Sequence, residues 1–280
     1  MDTSTAPQSK SRGQTFPLPW LVVTLAIAAW VTFLVAAPGG LLDKTDLVGY
    51  AVCHRIAARP FVIAGRQLPL CARCSGTFIG ALVGFFGQAV VLRRRRAAEF
   101  PAPHIIVILI GFTLLWAADG LNSYMTLING PHVYEPQNWL RLSTGALQGL
   151  TMSAFVYPVF NFTLWREPVP ERSIRNLREL GVLLLLEAGL VGLVLTEWDF
   201  LLYPLALLGA AGVLALLTCV NGMLVLMIIR RENVVDTWRA GIVPLLAGLT
   251  LSLIQVGIID LIRYALTGTL EGIPLLGMLQ

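Results

Sequence analysis

Seven apolar stretches, near residues 18–37, 75–92, 105–125, 145–165, 181–196, 201–229 and 241–266, constrain this chain more than anything else in it. Each approaches the roughly 20 residues a helix needs to cross about 30 Å of hydrocarbon. The composition agrees: only 13% of the 280 residues are charged, about half the usual ~25% of soluble domains. The expectation is an all-α, polytopic transmembrane bundle of about seven spans with the lipid bilayer as its partner, a multi-pass protein of the cell membrane. The first stretch is longer than a signal-peptide core of about 7–15 residues and runs into Pro38, so it reads as a retained helix.

Orientation follows from the basic residues. Lys10, Arg12, Arg93–Arg96, Arg166, Arg172, Arg175, Arg178, Arg230, Arg231 and Arg239 fall on one side, thirteen in all. Seven fall on the other: Lys44, Arg55, Arg59, Arg66, Arg73, Arg141 and Arg263. By the positive-inside rule the N-terminus is cytoplasmic and, after seven crossings, the C-terminus extracytoplasmic. The net charge of +4 does not indicate nucleic acid, because the basic residues form short clusters between apolar runs. Residues 1–16 read as a disordered cytoplasmic tail, and 17–166 as a four-span module with an extracytoplasmic Cys/His loop at 39–74. Residues 167–280 read as a three-span C-terminal extension. Nothing in the sequence sets an oligomeric state or a protein partner.

The loop carries the densest chemistry. Three of four cysteines lie in it: Cys53 beside His54, then Cys71 and Cys74 as C-x-x-C before an apolar run. Cys53, His54, Cys71 and Cys74 form a candidate metal set for zinc, or alternatively iron, since thiolate and imidazole are the usual ligands of structural zinc. The adjacency of Cys53 and His54 fits that pattern less well than the C-x-x-C pair does. The same atoms admit a membrane thiol–disulfide oxidoreductase, with Arg73 and a helix N-terminus favouring thiolate, or a disulfide that merely staples the loop. Around them the topology gathers Arg66, Arg73, Asp119, Asn138 and Arg141 as a supporting polar site. No residue is assigned a catalytic role. Asp119 with Arg141, and Asp260 with Arg263, are expected as charge pairs, the latter because i,i+3 residues share a helix face.

Glu187 is an intramembrane acid. A central carboxyl costs about 2.5–3.5 kcal/mol on insertion and each leucine returns about 0.3–0.6. Seven leucines and three valines between Val182 and Leu195 offset it. Glu187 is therefore expected to face protein, with Gln255 as partner. Gly76-x3-Gly80-x3-Gly84 and Gly145-x3-Gly149 are spacings that let helices approach closely.

The run Cys53-His54, Arg59, Phe61, then Gly65-Arg66-Gln67-Leu68-Pro69-Leu70-Cys71-Ala72-Arg73-Cys74-Ser75-Gly76 resembles the signature of domain of unknown function 2085. Asp119-Gly120 and Asn138-x-x-Arg141-x-x-Thr144-Gly145-x3-Gly149 extend the likeness, which covers about residues 48–150. Pro60 departs from the small hydroxyl residue expected there. The resemblance implies a prokaryotic integral membrane protein and a common site for these positions. It implies no activity, because that family has none assigned.

Overall fold

The computed structural model describes residues 19–36, 39–56 and 59–270; the tail assigned to 1–16 lies outside them. Each of the seven apolar stretches forms a helix: α1 (Pro19–Ala36), α3 (Ala72–Phe86, continued by a π turn to Val91), α4 (Pro103–Leu127), α5 (Asn138–Leu164), α6 (Leu177–Leu195), α7 (Leu202–Ile228) and α8 (Trp238–Thr267). An eighth, α2 (Leu41–Val52), occupies the first third of the stretch read as a loop. It forms there because Leu42, Thr45, Val48 and Gly49 repeat at helical spacing and turn inward. The Asp43 carboxylate accepts the Gly40 N–H at 2.5 Å, satisfying one of the four free donors at its start.

Among the described residues, four helices are long and apolar enough to cross a membrane: Ala72–Val91, Pro103–Leu127, Asp199–Ile228 and Trp238–Thr267. The other three fall short for separate reasons. The apolar part of α1, Pro19–Val35, is a little short. Helix α6 carries Arg178, Glu179 and Glu187 within 19 residues. Helix α5 is diluted by Asn138, Arg141, Gln148 and Asn161, and it can be, because it packs against α3, α4, α6 and α7 and buries most of its length.

The tightest packing is between α3 and α5, where small residues alternate. A Cβ on Gly76 would lie 2.8 Å from Ala146 N, and one on Gly80 2.9 Å from Ala146 O. A Cβ on Gly149 would lie 2.6 Å from Ala81 N. The two backbones therefore touch, as small-x3-small faces permit. Helix α7 approaches α3 at Gly212, and α8 approaches α7 at Gly248.

Contacts sort the helix termini into two ends. At one, Arg94 pairs with Glu171 and Glu179, Arg166 with Asp236, and Arg96 lies over the Trp165 ring. There a parallel pairing of β3 (Ala97–Glu99) with β4 (Val169–Arg172) ties the loops together. At the other end lie the first turns of α3, α5 and α7 and the last turns of α4, α6 and α8, with α2 packed against α7 and α8. Leu42, Phe61, Ile63, Leu68, Val194, Leu201 and Leu202 share a buried cluster there.

Candidate functional site

The second end holds every site residue proposed from the sequence except Glu187. The chain leaves α2 at Cys53, whose extended backbone (φ −126°, ψ 143°) stops the helix. It returns through a hairpin of β1 (Val62–Ile63) and β2 (Arg66–Gln67). Ala64 and Gly65 both have positive φ (49° and 73°), the combination a two-residue hairpin turn needs to match strand twist. Phe61, Ile63, Leu68 and Leu70 are buried beneath it. Two hydrogen bonds close the base, Leu68 N–H to Phe61 O (3.0 Å) and Ala72 N–H to Arg59 O (2.9 Å). Cys71 thereby caps α3, its N–H donating to Cys53 Sγ at 3.3 Å, and Cys74 follows one turn inside.

The three sulfurs of Cys53, Cys71 and Cys74 lie within 4.8 Å of one another, two of the residues buried and the third half-buried. All are free thiols. The Cys71 and Cys74 thiols donating to Cys53 pull its pKa down, so Cys53 is the sulfur of the three that ionises most readily. Sharing that sulfur, together with burial, pushes Cys71 up to about 11. Cys219 lies apart in α7, against the buried cluster that includes Phe160, Trp165 and Met223. His54 stands outside the sulfur group: its Nδ1 accepts the Ile56 N–H at 3.2 Å. Burial, and then the neighbouring Arg59, Arg73 and Arg141, hold its imidazole below the usual histidine range, against the pull of Cys53.

Beside the sulfurs lies a polar cluster. Asp119, 2% exposed, accepts from Arg73 through Nε at 3.1 Å and through Nη2, from Tyr134 Oη at 2.7 Å, and from Thr144 Oγ1 at 3.4 Å. Burial first, then this carboxylate, pushes the Tyr134 phenol up to about 12. Asn138 accepts from Arg141 at 3.0 Å. The partner of Asp119 is thus Arg73 rather than Arg141, although α4 packs against α5: the Arg73 side chain reaches across to the carboxylate, while Arg141 turns to Ser123 and Asn138. Arg66 is not in this cluster; it donates to Asp43 (2.6 Å) and Asp46 (2.8 Å) on α2.

Two further expectations are corrected. Arg263 forms no ion pair with Asp260; it donates to the carbonyls of Tyr50 and Cys53 (2.8 Å to the latter) and stacks on the Tyr50 ring. The C-terminal carbonyls of α2 lack helical partners and draw the cation from across the bundle. Gln255 receives Asn221 Nδ2 at 3.0 Å, whereas Glu187 points at the α3–α5 crossing, with Oε2 3.0 Å from where a Gly80 Cβ would be. Sequence reasoning missed Arg59, Ser123 and Tyr134 as site residues. For Arg59 a signal existed, since it lies between the cysteines in the motif.

No solved structure matches the chain. Two curated archaeal relatives do, both carrying the name uncharacterized protein. The one from Methanocaldococcus jannaschii is 29% identical over 109 residues, 39% of this chain and 64% of that protein, so the match spans just under two thirds of that relative. The one from Methanothermobacter thermautotrophicus is 29% identical over 105 residues, 36% of this chain and 81% of that protein. Residues 53–155, from the first cysteine of the cluster into α5, match the family described as "Predicted membrane protein (DUF2085)".

Proposed function

We propose that this is a metal-binding membrane protein that holds one thiophilic divalent cation, zinc before iron, through Cys53, Cys71 and Cys74. The observation that carries the reading is the convergence of three sulfurs within 4.8 Å from two chain segments. Zinc–sulfur bonds of about 2.3 Å in a tetrahedron require sulfurs roughly 3.8 Å apart, so a contraction of no more than about 1 Å completes the set. Three protein ligands leave a fourth position, as in zinc sites where water or substrate binds. His54 lies next in sequence to one ligand and supports the site by neighbouring it.

Seven crossings, with the N-terminus cytoplasmic, complete the proposal. The two-ended sorting of the helix termini supports this, since the denser arginine clusters (Arg93–Arg96, Arg166, Arg230 and Arg231) collect at the end away from the cysteines. The metal site then lies at the extracytoplasmic surface of the cell membrane.

The experiment is metal content and free-thiol count on the full chain, purified in detergent without chelator. About one zinc or iron per chain, lost in Cys71→Ser and in Cys53→Ser, is expected. No metal in the wild type, with two thiols appearing only after reduction, overturns it. That result favours the second reading, a thiol–disulfide couple, for which the Cys53 thiolate beside Cys71 is the supporting feature.

A further inference from the structure

Three arginines from three elements meet at one serine. Arg59, from the segment before the hairpin, donates Nη2 to Ser123 O at 3.1 Å. Arg73, in the first turn of α3, donates Nη2 to Ser123 Oγ at 2.9 Å. Arg141, in the first turn of α5, donates Nε to the same Oγ at 3.3 Å. Ser123 is 1% exposed, while Arg59 and Arg73 keep partial access to the surface.

The charge does not balance. Asp119 is the carboxylate that hydrogen-bonds this group, and its ion pair is with Arg73. Among the described residues, Arg59 makes its hydrogen bond to a backbone carbonyl, and Arg141 bonds only a serine hydroxyl and the Asn138 amide. Three guanidinium groups carry fifteen N–H donors, and the acceptors present engage fewer than half. Elsewhere the molecule neutralises such arginines directly: Arg66 has two aspartates and Arg94 two glutamates. One carboxylate and the nearby Cys53 and Cys71 sulfurs face three guanidinium groups, and holding such an excess of like charge together is costly unless an anion joins it. Burial holds the Arg59 guanidinium below the usual arginine range, with Arg73 adding to it, against the pull of the Cys71 and Cys53 sulfurs.

We propose that Arg59, Arg73 and Arg141 form the binding site for a phosphate group, carried either by soluble phosphate or by a lipid headgroup. Guanidinium forks approaching from three elements suit a tetrahedral oxyanion, whose oxygens each take a charge-assisted hydrogen bond. Asp119 keeps Arg73 oriented and Ser123 fixes the three forks relative to one another. Among the described residues these arginines donate no hydrogen bond to the cysteine sulfurs, although Arg59 and Arg141 feel their charge, so metal content is followed beside phosphate binding.

The test uses the full chain in dodecyl maltoside micelles, whose headgroup carries no phosphate, following thermal unfolding in sodium phosphate against sodium chloride of equal ionic strength. A second preparation adds dioleoylphosphatidic acid to the micelles. Stabilisation by phosphate in solution supports the site with a soluble ligand; stabilisation only by phosphatidic acid supports it with a lipid one. In either case Arg59→Gln and Arg141→Gln weaken the half-saturating ligand concentration at least about tenfold. Arg95→Gln, at the opposite end, leaves it unchanged. No stabilisation by either ligand, or equal stabilisation in wild type and both variants, overturns the proposal. If Arg59→Gln does not fold, Arg141→Gln alone decides it. Metal content of the same preparations is expected at the wild-type level, so loss of phosphate binding and loss of metal are separately visible.

Discussion

Replacing Asp119 by asparagine tests whether the ion pair with Arg73 holds the site end together. The carboxylate is 2% exposed and the arginine 15%, so the pair is largely withdrawn from water. Asparagine preserves shape and leaves one oxygen to accept from Tyr134, but it removes the counter-charge from Arg73. Removing one partner of a buried pair costs about 3–5 kcal/mol, because the other charge stays buried and unpaired. The residual exposure of Arg73 places the effect near the lower end, about 3 kcal/mol. For a chain of this size that is a fall of roughly 6–12 °C in unfolding midpoint. Nanodisc-embedded protein followed by intrinsic fluorescence of its seven tryptophans reads this directly. The double variant Asp119→Asn/Arg73→Gln should recover part of the loss, since no orphan charge remains on that pair. A fall of less than about 2 °C in Asp119→Asn, with the double variant adding its losses, would refute a coupled buried pair.

Three other outcomes are expected. Gly149→Val, which would drive a side chain into Ala81 N across the α3–α5 contact, should cost at least about 1–3 kcal/mol, whereas Gly189→Ala, with open space around it, should be neutral or stabilising in the same unfolding assay. Absorbance titration at 295 nm should show one tyrosine with a midpoint near 12, absent in Tyr134→Phe. Because that pKa is raised, the folded state holds the extra proton, so Tyr134 contributes stability below about pH 10 that is lost as pH rises through the folded value. In intact cells an impermeant maleimide should label His132→Cys, in the exposed loop between α4 and α5, and not Arg172→Cys; the reverse pattern would invert the proposed orientation.

Hydropathy located all seven long helices because lipid and protein interior both demand apolar side chains, and the cysteine spacing located the sulfur group. Helix α2 escaped notice because it carries Asp43, Lys44 and Asp46 on its outer face and lies within a polar stretch. Which charges pair was not legible either. Asp119 faces Arg73 rather than Arg141, and Asn221 rather than Glu187 takes Gln255, because pairing depends on how each helix is rotated about its axis. Hydropathy carries no information about that rotation. Arg263 shares a helix face with Asp260, yet its long side chain reaches the free carbonyls at the end of α2. A local rule loses there to an unsatisfied backbone elsewhere. The polar composition of α5 makes sense only once its central place is known.

The glycine face shared by α3 and α5 also sets an order of events. The ribosome delivers α3 before α5, with α4 between them, so the notched side of α3 stays without its partner until two more helices have been made. Cys53, Cys71 and Cys74 lie within a span of 22 residues and can meet as soon as the hairpin closes. Asp119 reaches Arg73 only when α4 is complete, and Arg141 joins Ser123 only when α5 begins. The sulfur cluster is therefore an early landmark in the biogenesis of this protein, and the backbone seam a late one that locks it in place.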